Sequence, residues 1–296
     1  MKRRQGFFLK LGKSDSNGFM FSLPYVIFFA AFVAYPLIFS IVLMFHRWNL
    51  VTPMQWIGMK NFVRLFEDPL FYKSLTNTLF FLVIHIPLQI CVALGFALLL
   101  NQRIVGRGLF RGIYFLPVVV SGVAVTILWQ QLFSYDYGVL NGLLQAVGIG
   151  PVPWLVSANF AMPSIALMAT WKNVGIYVVL FLAGLQNIPH ELYEAASIDG
   201  ARPIRQFFSI TLPMLNPTII VIVVLSTIGG FSLFIEPYVL TGGGPMQSTL
   251  SGMLYIYNQA FYFGHMGYAA TLGFVYAFVI FGVVMIQKKV IERETA

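Results

Sequence analysis

The sequence contains several uninterrupted apolar runs that exceed the roughly 20 residues a helix needs to cross the hydrocarbon core of a bilayer. Of its 296 residues, 58% are hydrophobic and only 9% are charged, far less charge than a globular surface in water requires. Membrane β-barrels show short segments of alternating polarity instead of continuous apolar runs. We therefore predict an all-α polytopic membrane protein.

The apolar runs predict six transmembrane helices. We place them at 21–45, 74–100, 111–133, 162–185, 214–235 and 266–286. Pro36, Pro87 and Pro117 lie within these spans and can kink them, as prolines do in membrane helices. The first run follows a basic N-terminus and lacks a small-residue cleavage site, so we interpret it as a retained anchor.

The distribution of arginine and lysine predicts the orientation, because basic residues concentrate in cytoplasmic loops. They cluster in the N-terminal tail, the second connector, the polar stretch before span five and the C-terminal tail. The opposite side has only those of the first connector, which are Arg47, Lys60, Arg64 and Lys73. We expect both termini and the polar stretch to be cytoplasmic.

The polar stretch ELYEAASIDGARPIRQFFSITLP occupies positions 191–213 between spans four and five. Pro189 suits the first turn of a helix, and Glu191 and Glu194 follow where the helix dipole favours negative charge. Asp199-Gly200 is typical of a helix end followed by a turn. The pattern therefore predicts one short helix that stops at this turn.

A second short helix is predicted to begin near Arg202-Pro203 and to end at Leu212-Pro213. Small residues cluster at the bend between the two helices, and small side chains let a partner surface approach closely. The residues alone equally allow an amphipathic segment that lies on the membrane surface. The fifth connector contains MLYIYNQAFYF, which favours a short interfacial helix.

The run Glu194-Ala195-Ala196, Gly200, Ile210 and Leu212-Pro213 resembles the EAA signature of binding-protein-dependent ABC importer permeases. The segments LAGLQNIPHELYEAASIDGA, ITLPMLNP and LTGGGP…Y…AF…GYAA resemble the sugar-type permeases of maltose, lactose and glycerol-phosphate importers. The resemblance covers most of the chain. Its TGGGP loop is similar to that of the first of the two permease subunits in such systems.

This resemblance implies the type I ABC importer permease fold. It implies a cytoplasmic tail at 1–20, a six-span permease domain at 21–287 that includes a coupling loop at 188–213, and a cytoplasmic tail at 288–296. The short helices of the loop are expected to sit in a groove of a cytoplasmic ATPase. The expected coupling residues are Glu194, Ala195, Ala196, Asp199 and Gly200.

The family also implies the partners. They are a second homologous permease subunit, two copies of a cytoplasmic ABC ATPase and an extracytoplasmic sugar-binding protein, with the chain in the inner membrane of a prokaryote. No cofactor is expected on the chain, since ATP and Mg²⁺ belong to the ATPase. The sequence Gly12-Lys13-Ser14 does not complete a phosphate-binding loop, because position 7 is phenylalanine and no strand precedes it.

Lys172 is the most informative single residue, because an ionised side chain within a span usually faces a cavity or a partner. Two other interpretations stay open, namely snorkelling and a structural pair with Glu236. By resemblance, sugar-contacting positions fall on two spans. They are Lys172, Asn173 and Ile176 on span four, and Ser226, Gly229, Gly230 and Leu233 on span five.

Two competing classes have less support from the residues. An ion-coupled secondary carrier or channel would need buried acidic relays, and Glu236 is the one candidate, at a span edge. A membrane enzyme would need a catalytic cluster, which the spans lack. We expect no metal site, because the four histidines lie on different segments without paired ligand spacing.

Overall fold

The computed structural model describes residues 13–102 and 106–293, which are mostly helical. The first half contains helices α1 (Lys13–Phe29), α2 (Tyr35–Leu43), α3 (Lys60–Glu67), α4 (Pro69–Asn101), α5 (Arg107–Val119), α6 (Gly122–Leu132) and α7 (Val139–Ala146). The second half contains α8 (Ala158–Gln186), α9 (His190–Ile198), α10 (Pro203–Gln206), α11 (Leu212–Met214), α12 (Asn216–Phe231), α13 (Ile235–Leu240), α14 (Gly252–Tyr257) and α15 (Met266–Arg293). Gly12 and most of the basic N-terminal tail lie outside the described residues.

Among the described residues, four helical stretches are long and apolar enough to cross a membrane, and two bent pairs bring the number to six if each pair is one span. A π-helical turn at Ala30–Ala34 joins α1 to α2, so the first span is continuous. Spans two, four and six correspond to α4, α8 and α15. The six-span prediction is confirmed at this level, while the extents of the third and fifth spans differ.

The third predicted span, 111–133, is not one straight helix. It consists of α5 and α6, which meet at 98°. Val120 and Ser121 adopt extended backbone between them, with ψ values of 146° and 128°. The break follows Pro117 and a run of valines, and both proline and β-branched residues weaken a helix locally. Hydropathy could not reveal this bend because both halves are apolar.

The fifth predicted span, 214–235, was also wrong at both ends. The preceding helix, α10, continues through a π-helical turn at Phe207–Thr211 into α11, which ends at Met214 and not at Leu212-Pro213. It then bends by 62° into α12, which ends at Phe231. Pro217 lies at the start of α12, where its missing N–H is tolerated, so the proline marks the true beginning of the span.

The core consists of two clusters of buried apolar side chains arranged along α4 and α8. One includes Phe71, Leu254 and Tyr276, near the start of α4. The other includes Leu100, Leu185 and Leu215, near the ends of α4 and α8. A 33-residue helix such as α4 is about 50 Å long. The α9–α11 segment therefore lies at the opposite end of the bundle from the first connector.

The first connector forms a short antiparallel hairpin, in which His46–Arg47 (β1) pairs with Gln55–Trp56 (β2) before α3 begins. The predicted helix of the fifth connector is present as α14, followed by a π-helical turn at Asn258–Tyr262. One face of this segment is buried in the core, and Phe261 and Tyr262 are exposed. It is thus both a packing element and an aromatic surface.

Candidate functional site

A cavity of about 480 Å³ lies between α4, α8 and α12. It is closed on one side by the link from α12 to α13 and by Met253 of α14. Six of the seven predicted pathway residues line it, namely Lys172, Asn173, Ser226, Gly229, Gly230 and Leu233. Two spans that are well separated in sequence therefore contribute to one wall.

Lys172 and Glu236 form an ion pair across this cavity, with Nζ and Oε1 3.1 Å apart. Their side chains are only 16% and 10% exposed, so each charge compensates the other in a site with little water. Gly122, the first residue of α6, lies beside the pair, where an added Cβ would sit 2.9 Å from Nζ. The predicted structural pair therefore exists, and it lines the cavity at the same time.

Three further polar side chains surround the pair. The amide of Asn173, a residue that lines the cavity, donates to the carbonyl of Ala169 at 2.9 Å. His85 of α4 is hydrogen-bonded through Nδ1 to the Thr170 hydroxyl at 2.9 Å. The buried Ser226 hydroxyl has no hydrogen-bond partner among the described residues, although buried hydroxyls are normally paired. The cavity thus offers donors and acceptors suited to a hydroxyl-rich molecule.

The two glycines of α12 differ in their surroundings. A Cβ at Gly230 would meet Cδ2 of Leu82 at 2.3 Å, so this glycine lets α12 pack closely against α4. A Cβ at Gly229 would have nothing within 4 Å. Only Gly229 therefore leaves open space against the backbone.

Two predicted residues differ from expectation in their placement. Ile176 is not among the residues that line the cavity and is 40% exposed, although it lies one turn after Lys172 on α8. Leu233 lines the cavity from beyond the end of α12, so it does not share a helix face with Ser226. The sequence reasoning missed His85, although a histidine within an apolar span was the available signal.

The segment from α9 to α11 is the predicted coupling loop, and its helix–turn–helix form is confirmed. Pro189 precedes α9 as the capping residue. At the other end, Gly200 adopts φ +76°, and the N–H groups of Ala201 and Gly200 donate to the carbonyls of Ala196 and Ser197. This pair of bonds is a Schellman motif, which requires a left-handed residue at the glycine position.

One side of the coupling segment is attached to the bundle. Tyr193, Phe207 and Ile210 pack against the cluster at the ends of α4 and α8. Within the segment, the Tyr193 hydroxyl shares a hydrogen bond of 2.9 Å with the buried Thr211 hydroxyl. Gln206 joins the two short helices by donating to the Ser197 hydroxyl at 3.0 Å. Movement of the segment would therefore be passed to α8 and α12.

The opposite side of the segment is exposed. Neither α9 nor α10 contains a buried residue. Ile198 and Ile204 are 86% and 75% exposed, which leaves an apolar patch at the tip. Glu194 is likewise exposed and is hydrogen-bonded through Oε1 to Nδ1 of His190 at 3.0 Å. This face is available to a partner.

The family model described as "Binding-protein-dependent transport system inner membrane component" matches residues 89–295, which include the coupling segment and the cavity wall formed by α8 and α12. The chain belongs to this family of membrane permeases. The resemblance noted in the sequence is thereby confirmed. The protein is a multi-pass membrane permease of a prokaryotic transport system, and this family consists of permease subunits and not of enzymes.

Relatives of known name support the same family membership for the permease. It is 40% identical to the lactose transport system permease protein LacF of Rhizobium radiobacter over 90% of this chain and 91% of that protein. It is 36% identical to the arabinooligosaccharides transport system permease protein AraP of Bacillus subtilis, over 92% of this chain and 87% of that protein. These matches extend over nearly the whole permease.

A solved structure shares the fold of the permease. It is a bacterial ABC transporter involved in the import of the acidic polysaccharide alginate, and one of its chains superposes with a TM-score of 0.79. The two chains are 27% identical, and the match covers 96% of this chain and 98% of that one. The predicted importer permease fold is thus confirmed.

Proposed function

We propose that the permease forms half of the translocation pathway of an ATP-driven carbohydrate importer. It assembles with a second homologous permease and two copies of a cytoplasmic ATPase, one of which binds the coupling segment, and it receives its substrate from an extracytoplasmic sugar-binding protein. Both termini and the coupling segment face the cytoplasm, as the positions of the basic residues favour.

The observation that carries this proposal is the polar cavity between α4, α8 and α12. Carbohydrates present many hydroxyl groups, and the unpaired Ser226 hydroxyl, the Asn173 amide and the open backbone at Gly229 can accommodate them. The ion pair adds polarity without net charge. Relatives named for lactose, arabinooligosaccharides and trehalose/maltose transport support the carbohydrate class.

The neutral pairing of Lys172 also bears on the type of carbohydrate. An unpaired lysine in the cavity would attract an acidic sugar, whereas here the carboxylate of Glu236 already neutralises the ammonium group. This half of the pathway therefore favours neutral saccharides over uronates, although the solved relative imports alginate.

Coupling follows from the position of the segment at one end of the bundle. Closure of the ATPase dimer on ATP moves the exposed side of α9, and the packing of Tyr193 against the cluster that includes Leu185 and Leu215 passes this motion to α8 and α12. These helices form the cavity walls, so the motion changes which side of the membrane the cavity faces. ATP and substrate are linked because each binds the two states with different affinity.

The proposal is tested by reconstituting the permease with its cognate partners in liposomes and measuring ATP-dependent uptake of sugars delivered by the binding protein. We expect uptake of a neutral saccharide, a marked reduction in Ser226→Ala and Asn173→Leu, and wild-type uptake in Thr76→Ala, whose exposed hydroxyl lies outside the cavity. ATP-independent uptake driven by an ion gradient would refute it.

A further inference from the structure

A second polar cavity, of about 580 Å³, lies at the end of the bundle opposite to the coupling segment. It is enclosed by the β1–β2 hairpin, by α3 and by the residues that enter α15. The N–H of Met266 donates to the carbonyl of Trp48 at 3.0 Å, which ties the hairpin to the start of α15. Since α2 ends and α15 begins here, the cavity lies at the membrane–water boundary.

The lining of this cavity is positively charged. Arg47, Lys60 and Arg64 contribute to it, and no carboxylate does. Arg47 donates to the neutral amide oxygen of Gln55 at 2.5 Å. Arg64 stacks over the ring of Tyr268, with Cζ 4.1 Å from the ring centre. Among residues 13–102 and 106–293, none of these three cations takes part in an ion pair.

The nearest acidic residues lie in an adjoining cavity. Glu67 and Asp68 line that cavity, to which Lys60 and Arg64 also contribute, and Asp68 accepts hydrogen bonds from the hydroxyls of Tyr255 and Tyr268. Three cations therefore share one polar space, and within the described part of the chain no carboxylate lies within ion-pair distance of them. Arginine and lysine in such an arrangement suit the oxygens of a phosphate group.

The protein surface next to the cavity is apolar where it faces the membrane. Ile38 and Val42 of α2 are 60% and 41% exposed below the hairpin, and Trp56 and Phe263 are 69% and 53% exposed beside it. Exposed aromatic rings at a span end are typical of the headgroup level of a bilayer. An acyl chain could lie along α2 while its headgroup occupies the cavity.

We propose that this cavity binds the phosphate group of an anionic phospholipid, with the acyl chains along the exposed face of α2. The site is separate from the translocation cavity and does not depend on the sugar transported. It fixes the hairpin, α3 and the start of α15 to the lipid boundary on that side of the membrane.

The test uses the full chain purified in detergent, with lipid binding measured by native mass spectrometry. The probes are dioleoyl phosphatidylglycerol, dioleoyl phosphatidylcholine and inorganic phosphate. We expect the wild type to prefer phosphatidylglycerol and the double variant Arg47→Gln/Lys60→Gln to bind it roughly 10- to 30-fold more weakly, from about 1 kcal/mol per cation. Lys73→Gln is the matched control, because Lys73 is exposed near the start of α4 but outside the cavity.

Equal binding of the two lipids to the wild type would overturn the proposal. An equal loss in Lys73→Gln would also overturn it, since that result indicates unspecific surface attraction. Binding of inorganic phosphate that depends on Lys60, without retention of phosphatidylglycerol, would replace the lipid by a soluble anion. If the double variant aggregates, the single variants Lys60→Gln and Lys60→Arg decide, with Lys60→Arg expected to retain the lipid.

Discussion

Nζ of Lys172 on α8 lies 3.1 Å from Oε1 of Glu236, 64 positions later in the sequence, and the two close one side of the cavity. The pair joins α8 to the first turn of α13. Both elements would move when the pathway changes the side to which it opens. The ion pair therefore stabilises the one arrangement of these elements that this structure describes.

Removal of one partner should destabilise the protein more than removal of both. Glu236→Gln leaves an uncompensated ammonium group in a site with little water, which costs about 3 kcal/mol, whereas Lys172→Met/Glu236→Leu removes both charges. We expect a lower unfolding temperature for the single variant and near recovery in the double variant, measured in detergent. A single variant as stable as the wild type would show that the pair is fully hydrated.

The two neighbouring glycines provide a matched comparison. Gly230→Ala places a methyl group 2.3 Å from Leu82 and should cost about 1–3 kcal/mol of stability through overpacking. Gly229→Ala meets nothing within 4 Å and should leave the unfolding temperature unchanged. Its methyl group enters the cavity, however, so the KM for transport should rise. Equal thermal shifts in both variants would contradict this assignment.

The sequence predicted the number of spans and the helix–turn–helix form of the coupling segment because both depend on local properties. Apolar runs identify a span, and Asp199-Gly200 identifies a turn, without knowledge of the rest of the chain. The 98° bend after Val119 could not be predicted, because mean hydropathy identifies an apolar segment but does not report whether its helix is straight or bent. Nor could the sequence decide whether Lys172 lines a cavity, snorkels or pairs with Glu236, because its partner and its cavity come from distant segments.

The turn in the coupling segment requires a left-handed residue. In Gly200→Ala the added methyl group has open space around it, so the expected cost of about 1 kcal/mol is purely one of backbone conformation. We expect faster hydrogen exchange at the amides of Gly200 and Ala201, whose bonds form the turn. Gly200→Asn should be milder, because asparagine tolerates this conformation better. Unchanged exchange in the alanine variant would exclude a strained turn.

Charge reversal on the exposed face of α9 should uncouple the transporter. Glu194→Lys places a cation where the proposed ATPase contact lies, and we expect at least a roughly tenfold loss of transport and of stimulated ATP hydrolysis. Glu191→Lys, one turn earlier on the same helix, is the control for charge alone. Assembly is checked by co-purification of the subunits. Transport that survives Glu194→Lys in an intact complex would contradict the coupling role.

The stability of the bundle end at the start of α4 should fall in acid because of Asp68. Burial raises the pKa of its carboxyl group, but hydrogen bonds from Tyr255, Tyr268 and the N–H of Leu70 outweigh this effect and hold the pKa below its ordinary value of 3.8. The ionised form therefore stabilises the fold, fully above that ordinary value and progressively less as the pH falls through the folded-state pKa. We expect Asp68→Asn to lower the unfolding temperature at pH 7 and the difference from the wild type to shrink below about pH 4. A difference independent of pH would show that the carboxylate charge is not what holds the two tyrosines.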